Sequence, residues 1–286
     1  MGSRVLVSDT SSATLSAYTP IDLVETRRKR VSGRPGFVYV RSSLIYIAVD
    51  NTIQCLNAED LSTIREYSAG EDIERIILSH DGTRLYVLLG GSDTILMMDA
   101  ISGEWITSTP MGSHPRDLRL DSSGCYLLAA GGDSASVAVL DATTLVKQAQ
   151  YATDGPVVAA AFLSNGLIIL SETGDFEPFA QLSFANTKTG QLERLALIQG
   201  VPTCMAFAMN GLLVGHLNGI SMVNLQHNEL RWRINVQGLP DLVTPMGRLA
   251  SYMDRLSGRV GVVDCFQPTL MTVLRSPEPA GLAVIN

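Results

Sequence analysis

An internal period near 40 residues constrains this chain more than any other feature. Turn segments ending in proline or its equivalent recur as Gly33-Arg34-Pro35, Gly70-Glu71-Asp72-Ile73, Gly112-Ser113-His114-Pro115, Gly155-Pro156, Gly200-Val201-Pro202, Gly238-Leu239-Pro240 and Pro277-Glu278-Pro279, spaced 38 to 46 residues apart. A unit of that length cannot bury its own apolar face, so neighbouring copies must supply one another's core.

Each marker opens the same order of segments. After Pro115 come a short apolar strand, the turn Asp121-Ser122-Ser123-Gly124, a second strand, the loop Gly131-Gly132-Asp133-Ser134, a third strand, the turn Asp141-Ala142-Thr143-Thr144 and a fourth strand. The preceding copy matches it through His80-Asp81-Gly82-Thr83, Gly90-Gly91-Ser92-Asp93 and Asp99-Ala100-Ile101-Ser102-Gly103. Strands of about five residues, rich in Val, Ile, Leu and Tyr and bounded by Gly, Asp, Asn and Ser, are antiparallel hairpin chemistry. Four such strands per repeat make one blade of a β-propeller.

The two ends complete the arithmetic. After Pro279 enough chain remains for one strand, whereas residues 1–35 hold three strands and lack a first. The expectation is therefore all-β: a single seven-bladed β-propeller of four-stranded antiparallel blades spanning 1–286. Its repeats fall at about 36–73, 74–115, 116–156, 157–202, 203–240, 241–279, and 280–286 with 1–35. Residues 281–285 should pair with residues 4–8, closing the ring and leaving no large unpaired edge.

The run Ser79-His80-Asp81-Gly82-Thr83-Arg84-Leu85-Tyr86-Val87-Leu88-Leu89, with Asp99-Ala100 and Gly112-Ser113-His114-Pro115, resembles the YVTN-type, lactonase-like propeller repeat of bacterial proteins. Tyr86-Val87 keeps half of the name-giving tetrapeptide, and the likeness runs over about residues 70–156. The Trp-Asp dipeptide of WD-repeat proteins does not occur. The resemblance implies the fold; its family spans binding proteins, enzyme subunits and lactone hydrolases, so function must come from the site.

Composition narrows the function classes. A net charge of −7 and a pI near 5.1 oppose attraction to phosphate backbones or anionic headgroups, so nucleic acid is not an expected partner. No apolar run approaches the roughly 20 residues of a membrane-spanning helix, so no membrane insertion is expected. Cys55, Cys125, Cys204 and Cys265 lie far apart in apolar surroundings and read as reduced core residues. The segment Met1-Gly2-Ser3-Arg4-Val5 does not read as a signal peptide, so the expectation is a cytoplasmic chain as written, or an extracytoplasmic one if a leader has been removed. No cofactor is expected, because no nucleophile elbow, zinc-binding helix motif or phosphate-cradling Gly-rich loop is present.

In a propeller the loops between blades and those joining strands two and three gather on one face. That rule assigns Arg34, Glu71, Asp72, His114, Arg116, Asp154 and Asp241 to the face, with Asp9, Asp50, Asp93, Asp133, Glu172, Asp175, Glu177, His216, Asp254 and Arg255. Each carboxylate has two readings. It can hydrogen-bond its own turn backbone, or converge with others on a cation or basic ligand. The repeat ending at Pro202 is the longest, and its surplus falls in 172–179, a loop with three acids and two aromatics. The candidate binding residues are Arg34, His114, Arg116, Asp133, Glu172, Asp175, Glu177, His216 and Arg255. His80 and His227 fall on the opposite face, Trp105 and Trp232 each begin a fourth strand, and Arg27-Arg28-Lys29-Arg30 occupies an outermost strand.

The leading functional expectation is a monomeric, non-catalytic binding or scaffolding propeller that offers its acidic loop face to a protein or peptide. One rival is a lactonase-type hydrolase with a metal- or carboxylate-activated water at the channel mouth. The other is an auxiliary subunit of a redox or envelope complex.

Overall fold

The structure is a computed structural model that describes residues 3–112, 114–132, 135–173, 179–209 and 211–285. Seven four-stranded antiparallel sheets account for all its strands, and no helix occurs among the described residues. The fold is a seven-bladed β-propeller, as the period required. By internal contacts the chain divides into two compact units, 1–67 with 203–286, and 68–202.

The first unit opens with β1 (Arg4–Asp9), β2 (Thr14–Tyr18) and β3 (Glu25–Arg30), followed by β4 (Pro35–Arg41), β5 (Leu44–Val49), β6 (Thr52–Asn57) and β7 (Thr63–Ser68). The second unit holds β8 (Ile73–Leu78), β9 (Arg84–Leu89), β10 (Thr94–Asp99) and β11 (Trp105–Pro110); β12 (Asp117–Leu120), β13 (Tyr126–Ala130), β14 (Ser136–Asp141) and β15 (Lys147–Ala152); and β16 (Val157–Leu163), β17 (Gly166–Glu172), β18 (Phe179–Asn186) and β19 (Leu192–Gln199). The first unit resumes with β20 (Pro202–Ala208), β21 (Gly211–His216), β22 (Gly219–Asn224) and β23 (Glu229–Asn235), then β24 (Leu242–Met246), β25 (Leu249–Asp254), β26 (Arg259–Asp264) and β27 (Thr269–Arg275), and ends with β28 (Pro279–Ile285). β28 pairs antiparallel with β1 from Arg4↔Ile285 to Ser8↔Gly281, so the sheet order is β28-β1-β2-β3. The predicted closure is therefore made in the predicted register.

Burial explains why the inner strands read as continuous apolar runs. Within the first unit, Leu6, Ala283 and Ile285 pack against Val38, Ile45 and Ile47 of the β4–β7 sheet. Their neighbours Val5, Val7, Leu282 and Val284 pack the other way, against Met253, Val260 and Val262. A strand covered on both faces needs apolar residues at every position, unlike a half-solvated strand. Each large aliphatic side chain buried in this way contributes about 1.5–3 kcal/mol. In the second unit the same alternation packs Leu128, Val137 and Val139 against Val157, Ala160 and Ile169.

Recurring polar devices close the turns. At the end of the third strand, Asn57, Asp99, Asp141, Asn186, Asn224 and Asp264 each accept a backbone N–H two residues on, at 2.7–2.9 Å. The outer strands β3, β11, β15, β19, β23 and β27 each carry a register shift against the third strand, which adds twist at an exposed edge. Arg27-Arg28-Lys29-Arg30 occupies such an edge strand, as expected.

Three details correct the reading from sequence. Cys125 is exposed, whereas the other three thiols are buried, because the N–H groups and side chains of its turn are organised by Asp121 at the surface. Trp232 lies within β23 rather than at its start and donates from Nε1 to the carbonyl of Cys265 at 3.1 Å. Only Trp105 begins its strand, with its ring over Gly70 and its Nε1 donating to Ser68 O at 3.2 Å.

Candidate functional site

Three carboxylates at the ends of the first unit's second strands, Asp9, Asp50 and Asp254, are turned onto the backbone of the loops that lead into their blades. Asp9 accepts the Ser276 hydroxyl and the Glu278 N–H at Oδ2, and Ser11 Oγ, Ser12 N–H and Ser12 Oγ at Oδ1. Burial would raise its pKa, but the hydrogen bonds from Ser276, Ser12 and Glu278 outweigh that and hold the carboxyl well below the usual carboxylate range. Asp50 accepts Arg34 N–H at 3.2 Å, and Asp254 accepts the N–H groups of Leu239 at 3.0 Å and Ser257 at 3.1 Å. In each case the residue at or just past the end of a second strand ties down the loop that leads into its blade.

Of the candidates in this unit, Arg34 is exposed and offers its backbone N–H to Asp50. Arg255 pairs with Asp241, Nε to Oδ2 at 2.7 Å. Burial raises the Asp241 pKa against the lowering pull of Arg255. His216 is fully buried, which corrects its placement on a ligand-accessible surface. The tight β21–β22 hairpin folds its ring inward over Gly219, with Nε2 2.8 Å from Ser221 Oγ and Nδ1 3.3 Å from Leu217 O. Burial pushes its pKa down, so the imidazole is neutral.

The second unit arranges its loop end differently. His114 Nδ1 donates to Asp93 Oδ1 at 2.7 Å, joining the β11–β12 loop to the β9–β10 loop. Both residues adopt left-handed backbone conformations, φ 45° and 52°, a strain that tends to collect at functional positions. His114 is 61% exposed, so its Nε2 faces solvent while Asp93 fixes the tautomer. Arg116 is exposed, its N–H held by Ala130 O at 2.8 Å. Glu172 is half-buried at the end of β17, its N–H donating to Pro156 O at 2.9 Å. Glu71, Asp72 and Asp154 are exposed at the same end of their blades. Asp133, Asp175 and Glu177 lie outside the described residues. Among the described residues no group of three His, Cys, Asp or Glu side chains is arranged to hold a metal ion.

Sequence reasoning passed over a set of half-buried charges on the first strands of this unit. Glu74 and Arg75 on β8, and Asp117 and Arg119 on β12, interrupt otherwise apolar strands. Arg119 Nε donates to Asp117 Oδ2 at 3.0 Å, and Arg75 Nη1 to Glu74 O at 2.8 Å. The register slips between Ile73 and Arg75, leaving Glu74 as the unpaired bulge residue. The signal was present in Ile73-Glu74-Arg75-Ile76 and Asp117-Leu118-Arg119-Leu120: charged residues have no place in a strand covered on both faces unless one end of it is open.

Comparison with known proteins agrees with the fold. A family model described as lactonase, seven-bladed β-propeller, matches residues 40–153, a segment that contains Asp93, His114 and Arg116. The periplasmic gluconolactonase of Pseudomonas aeruginosa superposes with a TM-score of 0.75 at 16% identity, covering 99% of both chains. Hydrazine synthase of Kuenenia stuttgartiensis gives 0.74 at 15% identity over 88% of this chain and 95% of its own. The β-propeller domain of Cps50 (Swd1) from Myceliophteria thermophila gives 0.70 at 13% over 87% and 88%. No curated protein matches the sequence. The likeness to lactonase-like propellers read from the repeat therefore stands, and these three solved structures, each below 25% identity, speak to fold alone. No helix among the described residues is long and apolar enough to cross a membrane.

Proposed function

We propose that this chain is a binding propeller that takes a protein or peptide on the loop end of the 68–202 unit. One observation carries the reading: the carboxylates that sequence left free to converge are divided between two uses. Asp9, Asp50 and Asp254 are bound to the backbone of the loops that lead into their blades. Glu71, Asp72, Arg116 and Asp154 stand exposed singly, with both signs, on short loops held by four-stranded sheets. A rigid surface that carries charges of both signs suits polar recognition of a complementary partner. The test is affinity capture with a Glu71→Lys, Asp72→Lys, Arg116→Glu triple variant, alongside Arg27→Glu, Arg30→Glu on an edge strand of the other unit. The triple variant should lose the partners that wild type and the edge variant share; an identical set for all three would defeat the reading.

The Asp93–His114 pair supports a second reading, a lactone hydrolase. A histidine oriented by a carboxylate through Nδ1, with Nε2 open, can take a proton from an attacking water, and the matched family segment includes both residues. Hydrolysis of sugar-acid lactones by the purified chain, abolished by His114→Ala and reduced by Asp93→Asn, is its expected signature. The absence of turnover on aldonolactones would remove it.

A further inference from the structure

Within the first unit a cleft of about 470 Å³ opens between the β24–β27 sheet and the β28-β1-β2-β3 sheet. It lies in the other unit from the proposed partner surface and uses different residues. Its lining is mainly apolar: Pro20 and Ile21 from the turn after β2, Met246 and Leu249 from the β24–β25 hairpin, and Met271 from β27. Ile21 is 55% exposed and Met271 42%, so large apolar side chains face an open space. Met271 is the residue that the β27 register shift leaves unpaired between Leu270 and Thr272, and a bulge is a way of re-aiming a side chain.

One ion pair stands in this apolar lining, and its two halves are unequally exposed. Arg248 donates from Nε at 2.8 Å and Nη2 at 2.6 Å to Asp264 Oδ2, while Asp264 Oδ1 accepts the N–H groups of Phe266 at 2.8 Å and Gln267 at 2.9 Å. The Asp264 side chain is 8% exposed and that of Arg248 56%. The carboxylate is thus turned into its own turn and acts as an anchor, so of the two lining side chains the more exposed one is the cation. A guanidinium carries five N–H donors, and Asp264 engages two of its nitrogens from one edge, leaving donors for an incoming anion. The neighbouring carboxylate, Asp22, accepts the Thr19 hydroxyl within its own turn.

We propose that this cleft binds a small amphipathic carboxylate, with an unbranched apolar chain lying along Ile21, Met246 and Met271 and its anionic end on Arg248. The size falls in the range of small-molecule sites, and a mainly apolar lining with one placed charged group is their usual construction.

The test is equilibrium dialysis of decanoate, with decanol as the uncharged probe, against the intact chain. Wild type should bind decanoate saturably at one site, and decanol about tenfold more weakly. Arg248→Gln should remove that preference and leave decanol binding unchanged. Met271→Asp, a change at an exposed position that the fold should tolerate, should weaken both probes. Arg28→Gln, on an edge strand of the same unit, should change neither. Equal affinity for the two probes in wild type, an unchanged decanoate affinity in Arg248→Gln, or no saturable binding would each overturn the proposal.

Discussion

Asp9→Asn is the sharpest perturbation of the closing blade. Asn keeps an oxygen for one side of the site only. With that oxygen toward Ser11 and Ser12, the amide NH2 falls where Oδ2 now accepts Ser276 Oγ at 2.5 Å and Glu278 N at 3.1 Å. The Glu278 N–H then meets a donor, and two bonds to a charged acceptor are lost from a group only 5% exposed. Hydrogen bonds to charged groups are worth about 1.5–3 kcal/mol, so a loss of about 3 kcal/mol follows after the hydroxyl re-orients. With an unfolding entropy of about 2.1 cal/mol/K per residue, a chain of 286 residues should melt about 5 °C lower. The pH dependence supplies a second readout. The folded-state pKa of Asp9 lies below its ordinary value of 3.8, so its stabilisation is fully present above about pH 4 and fades as pH falls through the folded value. Differential scanning calorimetry of both proteins at neutral pH and between pH 4 and 2 should show a gap that narrows in acid, where the protonated carboxyl resembles the amide. A loss below about 1 °C at neutral pH, or a gap that stays constant in acid, would refute the argument.

Three further outcomes follow from the same structure. Because burial depresses the His216 pKa, wild type should lose stability as pH falls below about 6.5, the unfolded value, and His216→Asn should lose less over that window in urea titrations at pH 7.5 and 5.5. Maleimide should label one thiol of the native protein, Cys125, and four after denaturation. Burial raises the Cys55 thiol pKa and pushes that of Cys265 up to about 11, and Cys204 is also buried; labelling of more than one thiol before unfolding would contradict this. Gly238→Ala should cost about 2–3 kcal/mol in chemical denaturation, because φ is +106° and a Cβ would meet the Asp254 carboxylate that ties down this loop. Stability within 0.5 kcal/mol of wild type, the range of ordinary surface changes, would show that the loop relocates freely.

How far the candidate site was legible from sequence differs residue by residue. The placement of Asp93 and His114 on one face followed from counting strands, and the structure joins them at 2.7 Å. The burial of His216 did not follow, because a histidine at a strand end gives no sign of whether its hairpin folds it inward over Gly219 or leaves it in water. Nor did the role of Asp9, whose partners Ser276 and Glu278 lie at the far end of the chain.

The period, the four-strand unit, the exposed basic edge strand and the join of β28 to β1 were all determined by the sequence itself. Each depends on where apolar and turn-forming residues fall along a chain whose strands are covered on both faces. Tertiary structure alone decided which loop carboxylates face inward, where bulges free Glu74 and Met271, and that Arg248 outflanks Asp264 at the mouth of a cleft. The physical reason is reach. Burial periodicity is written in neighbouring residues, whereas a side chain's hydrogen-bond partners are set by whichever backbone the folded sheets bring to it.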